Sequence, residues 1–304
     1  MKKFTKITLT IAAILAALGI ICCGIAAIMG AGWTTIHQKA LAGEFDFGNW
    51  HIGNGIYYGS DHSGKQGKTE SHTETFAASG IHSLKIDLDV VDSLDFQISD
   101  STDTISVEME DGYEKYFSTN QDGAELEITY NSAQHYFDDE PTITVVLPKE
   151  CKNLALNLEI GVGDVSMESE AFTAENLYLS VGTGDVSMNQ FSTKKAAELQ
   201  VGTGDVSVIS GDYEKMNIQS GVGDVSFSGN VSDKLQVKAG TGDVSVSLAG
   251  KEKEYAFDLS AGVGDITLNG SLKGSFPAEY KSGSDGGTKV EVTAGVGDID
   301  VLTK

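Results

Sequence analysis

Along residues 151–304 apolar side chains recur with a period of two, slip phase by one residue, and recur again with a period of two. Counted from the aspartate at each slip, positions −8, −6 and −4 hold Leu177, Leu179 and Val181 in one copy, Leu235, Val237 and Ala239 in another, and Val290, Val292 and Ala294 in the last. After the aspartate, positions +1 and +3 hold Val165 and Met167, Val206 and Val208, Val225 and Phe227, and their counterparts through Ile299 and Val301. A period of two is a strand with one buried face. The slip is a corner between two strands.

Each corner reads Gly-Val/Thr-Gly-Asp-Val/Ile, and its aspartates are Asp164, Asp185, Asp205, Asp224, Asp243, Asp265 and Asp298, at intervals of 21, 20, 19, 19, 22 and 33 residues. Glycine permits positive φ at a tight corner, and an aspartate can bind backbone N–H groups near its own turn. Self-similarity at about 20 residues indicates a unit too small to bury a core alone that stacks on copies of itself. The sequence therefore predicts an all-β fold, a parallel β-solenoid (β-helix) of about 20-residue rungs, each with two strands and a polar return segment. An antiparallel sandwich is the rival, but a sandwich has no need of the same corner seven times. Position +2 faces water, giving an exposed row of Ser166, Ser187, Ser207, Ser226, Ser245 and Thr267, with Asp300 last in sequence. Flat faces beside this row are the expected contact surface.

Between 81 and 150 the alternation continues without the glycine corner, as in Leu84, Ile86 and Leu88, or Ile105, Val107 and Met109. These runs predict degenerate rungs that cap the N-terminal end. At the other end, residues 271–288 make an excursion before one more regular rung. The expectation is that the excursion folds back over that C-terminal rung, or that the rung's open edge self-associates with another molecule.

Ahead of the repeats, Ile7 to Met29 carry no charge and follow Lys2, Lys3 and Lys6. A run of that length predicts a transmembrane helix over 7–29, with residues 1–6 as a cytoplasmic tail and the C-terminal domain extracytoplasmic. A signal peptide cleaved before Trp33 is the alternative. Residues 30–80, rich in glycine and histidine, read as a spacer. His37, His51, His62, His72 and His82 lie in or near it at spacings that match no metal-ligand motif. The domain order is then 1–6 tail, 7–29 helix, 30–80 spacer, 81–150 degenerate rungs and 151–304 regular rungs.

Charge narrows the partners. All 21 basic residues are Lys against 44 acidic ones, a net charge of −23. Such a surface repels nucleic acid, and without Arg there is no bidentate phosphate clamp. Cell-wall components, a cationic peptide or a membrane protein remain as partners. Cys151 is the one thiol beyond the apolar run that holds Cys22 and Cys23, so no disulfide forms there. Stacked corner aspartates raise calcium as a candidate metal, although Ca²⁺ takes six to eight oxygens and the repeat supplies one aspartate per rung. No enzyme is expected. Catalysis needs a non-repeating constellation, and the regular repeats contain neither His nor Trp; a β-helix carbohydrate-active enzyme is kept only as an alternative.

The repeated Leu-x-Leu-x-x-Gly-x-Gly-Asp-Val-Ser, with Ile143-Thr-Val-Val-Leu-Pro148 ahead of the first corner, resembles the bacterial "putative-adhesin" β-strand-repeat family of unknown function, in the toastrack superfamily. The resemblance covers residues 80 to 304. It implies a membrane-anchored protein of the cell envelope that binds or scaffolds, often beside envelope-stress sensors, and it supplies no catalytic residues. A structural adhesin or self-assembling spacer is the second functional reading.

Overall fold

A computed structural model describes residues 71–304 apart from 111–112, 132–139, 152, 168–169 and 284–285. It also describes three short strands, Phe45–Phe47, Trp50–Ile52 and Ile56–Tyr58. Those three pair antiparallel in a unit of their own, separate from the compact unit that runs from Lys68 to Lys304. The predicted helix 7–29 and most of the spacer lie outside the described residues. Among the described residues no helix is long and apolar enough to cross a membrane.

The large unit is a stack of parallel rungs. Each rung lays its first arm on the first arm of its neighbour and its second arm on the second. Leu156, Leu158 and Ile160 sit beside Leu177, Leu179 and Val181, and Val165 and Met167 beside Val186 and Met188. The same register carries through the Asp205, Asp224 and Asp243 rungs. The inward alternates of both arms form one continuous core. Leu158, Leu179, Leu199, Ile218, Leu235 and Leu259 are fully buried, each worth about 1.5–3 kcal/mol relative to exposure. Short return strands, among them Phe172–Ala174, add an aromatic edge in which Phe172 and Phe191 lie 5.9 Å apart. Tyr213 closes this edge by donating its hydroxyl to the Phe191 carbonyl at 2.6 Å.

The rungs do not stack in chain order. The C-terminal rung, Thr288–Val296 with Ile299–Thr303, lies between the Asp243 rung and the Asp265 rung and is hydrogen-bonded to both. The open edge expected there is absent, so self-association through this rung has no free strand to use. The stack ends instead at the Asp265 rung, whose arms are covered by antiparallel strands Ala278–Ser282 and Ser271–Ser275. The excursion thus caps the preceding rung, and the chain then threads back inside.

The N-terminal end repeats this logic in reverse. Ser83–Ser99 forms a rung against Ala155–Met167, turning at Val90 to Ser93 without glycine. A further rung, Glu125–Tyr130 with Thr142–Pro148, covers its far side. Thr104–Glu110 and Phe117–Asp122 then cap that outer rung antiparallel, and Ser71–Ala77 pairs with Thr104–Glu110. Ile105, Val107 and Met109, expected as a rung arm, therefore belong to an antiparallel cap strand. The nine parallel rungs among the described residues span ~38 Å at ~4.8 Å per strand.

Glycine at the corners is required twice, for different reasons. The second glycine of each corner has φ between +138° and +154°. The first has no such φ. A Cβ on Gly202 would lie 2.4 Å from the Gly182 carbonyl oxygen of the neighbouring rung, and the same distance recurs at Gly182, Gly221 and Gly240. Here glycine is needed for close approach between backbones. Gly202→Ala is therefore expected to destabilise the stack by ~3 kcal/mol or more, since two rungs must separate. Gly123→Ala, at a loop with φ +59° and nothing within 4 Å, should cost only ~1 kcal/mol of backbone strain. Chemical denaturation of the two variants checks the difference.

Candidate functional site: the corner ladder and the glycine-floored groove

The seven corner aspartates form one exposed column. In space the order is Asp164, Asp185, Asp205, Asp224, Asp243, Asp298, Asp265. Each Oδ1 accepts a hydrogen bond from the backbone N–H of the next aspartate in the column, at 2.7–2.8 Å for every step. The carboxylate therefore serves the adjacent rung and not its own turn, where the sequence had placed the bond. The flanking N–H groups run the other way. Gly184, Gly204 and Gly223 donate to carbonyls of Thr203, Val222 and Thr241, and Val186, Val206 and Val225 donate to carbonyls of Asp205, Asp224 and Asp243. At the corner the aspartate N–H departs from that pattern, and the neighbouring side chain takes it up.

Magnitudes explain why a column of like charges is tolerated. Carboxylates ~4.8 Å apart repel by ~1 kcal/mol in water, and salt reduces this further. A hydrogen bond to a charged acceptor is worth about 1.5–3 kcal/mol, so the bond prevails over the repulsion. Among the described residues no three of His, Cys, Asp and Glu converge as a cation site. His72 and His82 are exposed, and the remaining histidines lie outside the described side chains.

The expected serine row is also a column, Ser166, Ser187, Ser207, Ser226, Ser245, Asp300 and Thr267 in spatial order. The inserted C-terminal rung places Asp300 within it, and the Thr267 hydroxyl donates to the Asp300 carboxylate.

Two large concavities lie on the outer face of the first arms, away from the serine row, about 710 and 580 Å³, and share Ser180 and Gly182 as one trough. Its floor is the row of first glycines, Gly161, Gly182, Gly202, Gly221 and Gly240. Beside this floor runs an in-register row of Thr129, Asp87, Glu159, Ser180, Gln200, Gln219 and Lys238. Seven rungs contribute, so the trough is ~29 Å long at the usual strand spacing. It is acidic at the end with Asp87, Asp89 and Glu159, and amide- and hydroxyl-lined in its middle. Lys85, bonded to Glu127 at 2.7 Å, lies near the acidic end; that hydrogen bond and the charge of Glu127 hold its amine above the usual lysine range, with Asp87 and Glu159 adding to the effect. Burial, with a smaller contribution from Glu140, pushes the Tyr130 hydroxyl upward, away from neutral pH. Sequence reasoning passed over this groove because its floor consists of residues without side chains. The available signal was the first glycine, which recurs in every copy although its φ does not demand it.

The model of the Toastrack DUF4097 family matches residues 81–301. The chain belongs to this family. A comparison with curated proteins finds no significant match. Among solved structures, a "putative cell adhesion protein" from Clostridium sporogenes is 18% identical, with 78% of this chain and 100% of that one covered and a TM-score of 0.35. "Putative adhesins" from Bacteroides fragilis and Parabacteroides distasonis are 15% and 14% identical. They cover 76% and 78% of this chain, and 97% and 98% of their own lengths, with TM-scores of 0.41 and 0.39.

In this Toastrack domain the ladder makes unequal demands on its aspartates. Asp205→Ala removes the acceptor of the Asp224 N–H and is expected to cost ~1 kcal/mol after solvent screening. Asp205→Asn keeps an acceptor and sheds a like charge, so it should be neutral or slightly stabilising. Asp265, last in the column, receives no N–H from a further rung, and Asp265→Ala should cost less than Asp205→Ala. Denaturant midpoints for the three variants measure this ordering. With one oxygen of each carboxylate from Asp164 to Asp298 already committed, the melting temperature is expected to be the same in millimolar Ca²⁺ as in chelator. A rise in Ca²⁺ would reinstate the metal at the column.

Proposed function

We propose that this protein is a non-enzymatic binding or scaffolding component of the bacterial cell envelope. In this reading it is anchored by the 7–29 helix with its N-terminus in the cytoplasm, and its Toastrack domain stands outside the membrane. The observation that carries the reading is the groove: one trough across seven rungs, open along its length, with a glycine floor that recurs at rung spacing and polar side chains beside it on every rung. A repeating trough suits an extended polymer rather than a compact substrate.

Its chemistry narrows the polymer. Ser180, Gln200 and Gln219 offer a hydroxyl and two amides, which both donate and accept hydrogen bonds. Gln200 already donates to Glu198 at 2.9 Å, which orients its amide. A chain rich in hydroxyl and acetamido groups, such as a wall glycan strand, complements that row. A polyanion is repelled by the −23 charge of the protein. A catalytic reading has less support. Tyr130 at the groove end offers no base at neutral pH, and among the described residues no His or Cys lines the groove beside its acids.

Co-sedimentation of the full chain in mild detergent with insoluble wall glycan, stripped of its anionic polymers, tests the reading. The unmodified protein should sediment with the glycan. The double variant Gln200→Trp and Gln219→Trp, which fills the trough from its exposed side, should lose at least ten-fold in binding while melting at the same temperature. Failure of the unmodified protein to sediment, or equal sedimentation of the variant, overturns it.

A further inference from the structure

Among the cap strands of the large unit, four leave a backbone edge with no strand paired to it among the described residues. They are Ser71–Ala77 and Phe117–Asp122 at the N-terminal end, and Ser271–Ser275 and Ala278–Ser282 at the C-terminal end. Such edges template pairing with another chain unless something opposes it. Antiparallel pairing of a strand with its own copy about a two-fold axis sets each residue against its mirror position, and charges directly opposite decide the outcome.

Three of the four edges fail that test. Ser71–Ala77 would centre on Glu74 facing Glu74, and Ser271–Ser275 on Lys273 facing Lys273, both like-charged. Phe117–Asp122 brings Thr119 against Asn120 and Ser118 against Gln121, with no charge pair to select a register. Ala278–Ser282 reads Ala-Glu-Tyr-Lys-Ser, and centred on Tyr280 it sets Glu279 against Lys281 twice. A slip that centres the pair on Glu279 or on Lys281 sets like charges face to face, and parallel in-register pairing does the same at both positions. One register is favoured, because a one-residue slip loses both ion pairs and exchanges the strand's two faces, and a two-residue slip sets like charges together.

The exposed face of this strand supports the same arrangement. Glu279 and Lys281 are both exposed, whereas Ala278 is buried in the core opposite Ala261 of the rung beneath. Lys281 already bonds Asp258 at 2.7 Å on the rung beneath. A second copy would place its Glu279 on the other side of the same ammonium group, so one cation would lie between two carboxylates. Leu272 and Phe276, each 62% exposed, belong to the same C-terminal cap and are the most exposed large apolar side chains among the described residues.

We infer that the C-terminal cap is a self-association surface at which two copies of this chain pair antiparallel through Ala278–Ser282, continuing the first-arm sheet from one molecule into the next. The contact is isologous, so it closes at two copies and does not propagate. A five-residue strand pair falls well short of the ~1,200–2,000 Å² of a stable interface. The dimer is therefore weak in dilute solution and is favoured where copies are concentrated.

Disulfide trapping reads the register directly. Opposed Cα atoms in an antiparallel pair are ~4.5–5.5 Å apart, within the ~4.4–6.8 Å that a disulfide bridges. In the full chain in mild detergent, with Cys22, Cys23 and Cys151 replaced by alanine, Glu279→Cys chains are mixed with Lys281→Cys chains and oxidised mildly. The mixture should give a cross-linked dimer at least ten-fold more efficiently than either chain alone. Separately, Glu279→Lys, whose cross-strand neighbour within its own molecule is Ser260 of the rung beneath, should lower the dimer fraction in light scattering at least ten-fold, at a concentration where half of the unmodified chain is dimeric, without changing the melting temperature. Equal trapping in single-variant samples, no trapping in the mixture, or an unchanged dimer fraction in Glu279→Lys each overturns the proposal.

Discussion

The fold depends on the contact between successive corners. Each rung approaches the next so closely that a methyl group does not fit at either glycine, and the aspartate N–H groups left over at the bend are each taken up by a carboxylate one rung away. The core on either side is ordinary packing of Leu, Ile and Val between two sheets, and many sequences of similar volume would satisfy it. The corner has no such latitude. It fixes where both arms begin, and a strand shifted by one residue would turn its buried face outward. Corner and core thus specify the same register, and agreement between levels is what makes a repeated sequence fold to one structure.

Closure of the stack is a separate problem, solved identically at both ends. The surface that lets one rung recruit the next would let one molecule recruit another. The chain turns the terminal edges antiparallel, which a parallel rung with its glycine corner cannot extend. Reaching both caps with one polypeptide has a topological consequence. The chain overshoots a rung, builds the cap, and returns to fill the place it skipped, so Ser83–Ser99 and Thr288–Thr303 are interior although they lie near the two ends of the domain's sequence. Covering each end by a strand that the chain has already anchored from within ties the first and last rungs to two neighbours instead of one.

This explains which parts of the structure were legible in advance. Strand periodicity, corner positions and the parallel register follow from local patterns, because each rung carries its own two arms and its own bend. Which rung lies beside which is not local. Leu235, Val237 and Ala239 present the same kind of ridge to Phe257, Leu259 and Ala261 as to Val290, Val292 and Ala294, so the sequence does not distinguish the neighbour that comes next in the chain from the one that comes last. The 33-residue interval signalled an excursion without revealing that a later rung would be inserted ahead of it. The aspartate column was legible as a column, but the direction of its bonds was not, because a carboxylate at a bend reaches its own turn and the adjacent one equally well. The groove was hidden for a related reason. Pattern reading follows side chains, and this surface is defined by a row of positions that lack them.

The missing side chains also connect architecture to ligand binding. A row of glycines at the bend is imposed by backbone packing between rungs, and the same row leaves an exposed channel on the outer face. The channel therefore arises wherever the corner stacks tightly, whatever the neighbouring residues are. What differs from rung to rung is the adjacent position, occupied in turn by Asp87, Glu159, Ser180, Gln200, Gln219 and Lys238. Those residues are not part of the buried core and make none of the corner hydrogen bonds. Selection for a ligand can act on them without disturbing the fold, whereas the aspartates and glycines that dominate the repeat cannot vary without loosening it. Functional specificity in this architecture thus resides in the positions that do not repeat.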